Sequence, residues 1–390
     1  MLVRKSAVWL ARWQDRRQEA RARSEENLMA TQDLERLIDG DGHVMEDIAA
    51  IIERLPEPYR NGTAIRDPFP PSDHLHSSNK HFLPEGAFAR VGVEGWKDFM
   101  QELAMDSTVL YTTRGLTFGK IVSKDWAIEL ARAYNDFMYD TYVKNGEGCF
   151  EVMGLVPLQD PKAAVEEMQR ISKEYGMIGI MLPSTGAQGL QSHLGNERYW
   201  PIYEAAQELS MAVGIHGGAH DNMMMDDMSP YAPVNALGHP WGQMVNFAGI
   251  IFNGVFDKYP GVKIGFMEAG CGWLLTCMER FSGSWDSHVQ YDPNGRFLEL
   301  KKGERLKDYI NRHIDEGRIY VGVEGDELTL PYAVQITGNK PYLFSSDFPH
   351  EVNAETCKLE IEELRENPNL TDADKAAILH GNALRFYGLK

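Results

Sequence analysis

Four side chains unite donor types that bind divalent metals with positions just after short apolar runs. They are Asp41 and His43 in LIDGDGHVMED, His216 in MAVGIHGGAH and Asp347 in YLFSSDFPHE. Asp41 and His43 are one residue apart, so a strand presents both on the same face. That two-residue step spans roughly 6.6 Å, short enough for both to lean onto one ion. Imidazole and carboxylate together suit Zn²⁺, Fe²⁺ or Mn²⁺. His216 is followed by Gly217 and Gly218, which clear side chains from its surroundings and leave room for a ligand. Asp347 ends a buried run. It reads as a helix N-cap, as a partner for an arginine, or as a metal ligand that also takes a proton from metal-bound water, and the last reading is favoured.

Looser candidates accompany these four. His239 in GHPWGQM precedes a helical pattern and would act as an acid/base or orient its loop. His220 and His350 lie on neighbouring loops, with His350 assigned to substrate binding. Arg114 in TTRGLTFGK is a candidate clamp for a substrate carboxylate, with pairing to an acidic neighbour as the alternative.

Elements that would position these groups are legible. Eight short apolar runs read as strands: Leu37–His43, Val109–Thr113, Phe150–Pro157, Met177–Leu182, Ala212–His216, Lys263–Glu268, Ile319–Val323 and Tyr342–Ser346. They lack polar alternation, as parallel strands covered by helices do. Helical patterns fall between them at Asp125–Lys144, Pro161–Tyr175, Glu197–Ser210, Gln243–Lys258, Gly272–His288 and Ala354–Asn367, with a terminal helix around Thr371–Tyr387 capped by Thr371. This alternation predicts an α/β fold, a (β/α)₈ TIM barrel, whose active sites lie at the C-terminal ends of the strands. The candidate ligands sit at those ends. No phosphate-binding glycine motif follows any strand.

The domain reading is an N-terminal helical arm over residues 1–30 and a single barrel over 31–390. Trp9 and Trp13 would share one face of the arm and suit it to subunit contact. Residues 47–107 and 286–317 exceed the minimal repeat and are expected as lids or interface insertions over the C-terminal face.

Composition narrows the function classes. Forty-three per cent hydrophobic residues in a chain of 390 supply a large core. A formal net charge of −18 argues against nucleic acid and anionic membranes as partners. The four cysteines, Cys149, Cys271, Cys277 and Cys357, form no CxxC pair, which fits a reducing cytoplasm. The apolar stretch Ala7–Ala11 is too short for a signal or a membrane span.

The motifs DGDGHVME, IHGG, GVFDKYPGVKIGFMEAGCGWL, SSDFPHE and ILHGNALRFYGL together resemble the amidohydrolase superfamily. The similarity is to its branch of aminocarboxymuconate-semialdehyde and γ-resorcylate decarboxylases, and it runs from Leu37 to Lys390. The resemblance implies a metal-dependent enzyme, with ligands at Asp41, His43, His216 and Asp347, one divalent ion and an oligomer. Three departures stand out. The first-strand pair is Asp-x-His where the family has His-x-His or Glu-x-His. The sixth strand ends in Glu268 instead of a catalytic histidine. No lysine ends the fourth strand, so a carbamylated bridge is excluded.

Charge counting then singles out Glu268. One M²⁺ balances Asp41 and Asp347, and Glu268 is left over at the end of a buried strand, where an unpaired carboxylate is costly. It is expected either to ligate metal or to act as an acid/base, whereas Glu46 and Glu324 are expected to face solvent or a cation. The leading expectation is a hydrolase or decarboxylase of a small organic acid or amino acid. A second metal held by Glu268 would instead make a dinuclear Fe/Mn monooxygenase. A subunit that scaffolds a catalytic partner in a hetero-oligomer is the third reading.

Overall fold

A computed structural model of the chain describes residues 34–61, 67–75, 85–185, 192–288 and 298–390. The proposed arm over 1–30 lies outside the described residues, as do parts of both insertions. Eight strands form a single parallel sheet in chain order: β1 (Ile38–Val44), β2 (Ser107–Thr112), β3 (Phe150–Leu155), β4 (Gly179–Pro183), β5 (Ala212–His216), β6 (Ile264–Met267), β7 (Ile319–Val323) and β8 (Tyr342–Phe344). Each expected strand is present, within two residues at either end. Their side chains are buried almost throughout, because helices cover the outside while inward groups fill the barrel.

Closure between β8 and β1 comes from the segment just past β8. Asp347 N–H donates to the Asp41 carbonyl at 3.0 Å, and His43 N–H donates to the Phe348 carbonyl at 2.7 Å. Deeper in the barrel, Tyr387 O–H donates to the Gly40 carbonyl at 2.5 Å and lies 2.9 Å from the hydroxyl of Tyr111, whose ring packs against His216. The C-terminal helical turn thereby plugs the barrel floor.

Helices follow the strands: α1 (Ile48–Arg54), α2 (Gly92–Leu103), α3 (Lys124–Met138), α4 (Pro161–Arg170), α5 (Trp200–Leu209), α6 (Tyr231–Phe252), α7 (Gly272–His288), α8 (Leu306–Asp315), α9 (Leu330–Thr337) and α10 (Ala354–Glu366). Thr371 caps the terminal segment as expected, its hydroxyl accepting from the Asp374 amide. Both ends of one helix differ: that expected over Gln243–Lys258 stops at Phe252, with a separate short helix at Val255–Lys258. The helix expected from Gln243 begins at Tyr231 and runs through Pro240, so His239 sits within α6 and not on a loop. Proline normally breaks a helix, but Val234, Gly238, His239, Gly242 and Gln243 form a buried face whose packing outweighs the lost amide bond.

Candidate metal centre

Three strand ends bring the predicted ligands together. Asp41 and His43 come from β1, His216 from the last residue of β5, and Asp347 from the turn after β8. Asp41, His43 and His216 are fully or almost fully buried. His43 Nδ1 donates to the Thr112 carbonyl at 2.8 Å, which leaves Nε2 as a bare lone pair facing Asp41 Oδ1 at 3.6 Å and Asp347 Oδ1 at 3.5 Å. His216 Nδ1 donates to the Gly217 carbonyl at 3.0 Å, and its Nε2 faces Asp41 Oδ1 at 3.3 Å.

These residues fit a metal ion. Bonds of about 2.1 Å set neighbouring ligands roughly 3.0 Å apart in an octahedron and about 3.4 Å in a tetrahedron. The observed spacings fall close to these edges. Asp41 Oδ1, His43 Nε2, His216 Nε2 and Asp347 Oδ1 are also buried without a hydrogen-bond partner among the described residues. Buried polar atoms are normally paired, so unsatisfied ligating atoms on Asp41, His43 and His216 within 4.8 Å of one another, with Asp347 reaching His43, call for a cation. The electrostatics agree. Burial opposes a charged imidazole at His216, yet the Asp41 and Glu268 carboxylates outweigh it and push its pKa up to about 9. Burial, together with the carboxylates of Glu268, Glu351 and Asp41, pushes the Asp347 carboxyl far above its usual range.

The comparisons with known proteins follow this geometry. Residues 38–389 match the family described as Amidohydrolase. The chain belongs to that family. Among curated relatives, it is 24% identical over 324 residues to the 2-amino-3-carboxymuconate-6-semialdehyde decarboxylase of Dictyostelium discoideum, covering 81% of this chain and 84% of the relative. It is 27% identical over 275 residues to the gamma-resorcylate decarboxylase of a Polaromonas species, covering 67% and 77%. Among solved structures, the 5-carboxyvanillate decarboxylase of Novosphingobium aromaticivorans, complexed with manganese and 4-hydroxy-3-methoxy-5-nitrobenzoic acid, superposes with a TM-score of 0.69. That match has 21% identity and covers 90% of this chain and 96% of that one; it shows the shared barrel.

Within this amidohydrolase barrel, two acids at strand ends carry strained backbone. Asp347 has φ +53° and Glu268 has φ +52°, a left-handed conformation that non-glycine residues seldom adopt. The strain turns both carboxylates toward the same region. Glu268 Oε2 lies 3.3 Å from His216 Nδ1 and 3.6 Å from His239 Nδ1, and it too lacks a hydrogen-bond partner among the described residues. Burial pushes the Glu268 pKa up to about 8. Close packing at two glycines holds His239 here. A Cβ on Gly217 would meet His239 Nδ1 at 2.1 Å, and a Cβ on Gly238 would meet the His220 ring at 2.2 Å. His239 thus fills the space beside Gly217 and His220 that beside Gly238, with the two ring centroids 4.7 Å apart.

A cavity of about 820 Å³ opens over the centre, with Glu268, His239 and His350 in its wall. Phe69, Phe88 and Arg90 of the first insertion also line it, whereas the second insertion supplies no lining residue among those described. Arg114 reaches this cavity but is not a free clamp: its guanidinium pairs with Asp67, and about half of its side chain is exposed. The acidic-neighbour alternative describes it.

One buried acid escaped the sequence reading and a second was misplaced by it. Asp39, two residues before Asp41 and fully buried, accepts from Ser346 N–H at 2.8 Å, Thr108 Oγ1 at 2.7 Å, Ser346 Oγ at 2.9 Å and Asp41 N–H at 3.2 Å. It ties β1 to β2 and to the turn after β8 directly beside the ligands. Glu46 faces neither solvent nor a cation, contrary to expectation. It is buried and accepts from the Thr112 hydroxyl and from the Thr113 and Arg114 amides at 2.5–3.1 Å. Unsatisfied amides at the end of β2 supply the donors that a solvent-facing reading ignored. Glu324 is exposed.

Proposed function

We propose that this amidohydrolase is a metal-dependent decarboxylase of a small aromatic acid, with Asp41, His43, His216 and Asp347 holding one divalent ion of the manganese type. The observation that carries the reading is the convergence of unsatisfied buried donors beneath a cavity of about 820 Å³. The relatives named above, all decarboxylases, support it. When bound, the ion supplies Lewis-acid polarisation of a substrate oxygen.

The chain's own groups do the rest. Arg90 lines the cavity with no acidic partner found among the described residues, and it suits a substrate carboxylate better than the paired Arg114. In decarboxylation a proton is added at the carbon bearing the carboxylate, the bond to that carboxylate breaks, and carbon dioxide leaves. Glu268, kept protonated by burial, is the proposed donor, and His239 beside it is the group that restores the proton. Asp347 is the alternative proton carrier. Phe69 and Phe88 give the cavity an apolar wall suited to a ring.

The dinuclear oxygenase and the scaffold reading gain no support from these relatives. Assembly into an oligomer belongs to the proposal. Leu237, Trp241 and Val245, spaced by four on α6 and 53, 54 and 46% exposed, supply an apolar stripe for it. A cytoplasmic location is likewise proposed, supported by four unpaired cysteines; no described helix is long and apolar enough to cross a membrane.

The test is release of carbon dioxide from a panel of hydroxybenzoates and unsaturated amino-carboxylates by Mn²⁺-loaded protein, with chelated protein as control. Metal-dependent turnover of at least one acid is expected. Amide or ester hydrolysis without carbon dioxide release across such panels would replace decarboxylation with hydrolysis.

A further inference from the structure

Gln243 is fully buried on α6, and its carboxamide bridges two strand ends. Its Nε2 donates to the Ile215 carbonyl on β5 at 2.9 Å and to the Met267 carbonyl on β6 at 2.8 Å. Those two residues immediately precede His216 and Glu268. Only the NH2 end of the side chain has two protons to give to two carbonyls, so the orientation of the amide is fixed. His239 lies one turn earlier on the same helix face, with Nδ1 3.6 Å from Glu268 Oε2. Asn235 lies one turn earlier again, with Nδ2 3.5 Å from His239 Nε2.

A carbonyl held in place fixes its whole peptide plane, because the peptide bond does not twist freely. The first rotatable bond beyond the Met267 carbonyl is φ of Glu268, and it stands at +52°. Such a conformation persists only where its surroundings enforce it. The same amide fixes the plane from which His216 hangs. One side chain thereby governs the spacing of 3.3 Å between Glu268 Oε2 and His216 Nδ1. Packing alone does not call for glutamine here. Its Oε1 is buried with no hydrogen-bond partner among the described residues, a cost that methionine or leucine would avoid.

We propose that Gln243 is a positioning residue that holds Glu268 in its left-handed conformation against His216 and His239. The inference rests on the proton-donor role given to Glu268 above and adds the group that keeps this acid in place. Gln243 is not among the residues lining the cavity, so its effect on turnover runs through Glu268.

The variant Gln243→Met keeps the length of the side chain and removes both bonds. In a crystal structure of the Mn²⁺-loaded variant, Glu268 is expected to leave the left-handed region, with Oε2 displaced by about 1 Å or more from its place beside His216. An unmoved Glu268 would overturn the proposal, whether or not any acid is turned over. On an acid that the wild type decarboxylates, kcat is expected to fall at least about ten-fold with KM within about three-fold, as misplacing a reacting group does. In a Glu268→Gln background the same substitution is expected to change kcat by no more than about two-fold. An equal loss in both backgrounds would make Gln243 merely structural and overturn the proposal. If the wild type decarboxylates no acid, the decarboxylase reading fails and the crystal comparison alone decides the role of Gln243. If Gln243→Met does not fold, a crystal structure of the wild type decides. Both amide bonds beside a left-handed Glu268 support the proposal; a Glu268 that stays left-handed without them overturns it.

Discussion

Glu268 presents Oε2 to Nδ1 of His216 at 3.3 Å, while Nε2 of the same ring faces Asp41 Oδ1 at 3.3 Å. One imidazole therefore separates the acid left over by charge counting from the cluster of metal donors. The acid contacts that cluster through a ring edge that would not itself bind the ion.

This relationship predicts a clean separation of roles. Glu268→Gln should lower kcat about a hundred-fold or more, as loss of a proton-transfer group does. One Mn²⁺ should still bind, with affinity within a few-fold of wild type. Kinetics beside metal titration check this; a lost ion would make Glu268 a ligand instead.

The unsatisfied donors predict a strong dependence of stability on metal. A ligand present at a thousand times its Kd stabilises by about 4 kcal/mol if it binds only the folded state. Chelation should therefore lower Tm by several degrees, and Mn²⁺ should restore it. Scanning calorimetry with and without chelator measures the effect, and an unchanged Tm would show that the donors do not hold an ion.

The packing around His239 gives a third prediction. Gly217→Ala places a Cβ where His239 Nδ1 now sits, at 2.1 Å, so the ring must leave Glu268. Turnover should fall at least about ten-fold, with metal content unchanged. Metal analysis and kcat on the same preparation test it, and a wild-type rate would remove His239 from proton transfer.

A fourth prediction concerns pH and lies away from the metal. Burial and the carboxylates of Glu324, Asp326 and Glu363 push Glu360 on α10 up to about 8. Its folded pKa is above its unfolded value, so its contribution is fully present below about 4.5 and is lost as pH rises through about 8. Glu360→Gln should flatten that decline and raise Tm at pH 9 relative to wild type. Melting curves at pH 6 and 9 decide; parallel shifts at both would refute the assignment.

Much of the barrel was legible because parallel strands covered on both faces are runs of Val, Ile, Leu and Phe, whatever lies between them. The four candidate ligands were legible because each lies at or near the end of such a run. What the sequence concealed depends on contacts between distant segments. Asp39 has the same strand parity as Asp41 and reads as one more polar residue until Ser346, 307 positions away, donates to it. Arg114 carried both a clamp and a pairing reading until the first insertion placed Asp67 against it. The start of α6 was hidden by Pro233 and Pro240, which local rules treat as breaks while burial of the helix face overrides them.

The backbone bonds between Asp41 and Asp347 and between His43 and Phe348 join the first strand to the turn after the last one, and the same two segments contribute three of the four proposed ligands. An ion bound there would act as a rivet across the one junction of the cylinder where the chain's beginning meets its end. Without that rivet, the first staves to part should be these two, and deuterium should enter Asp41, His43 and Asp347 amides well before it reaches the central strands.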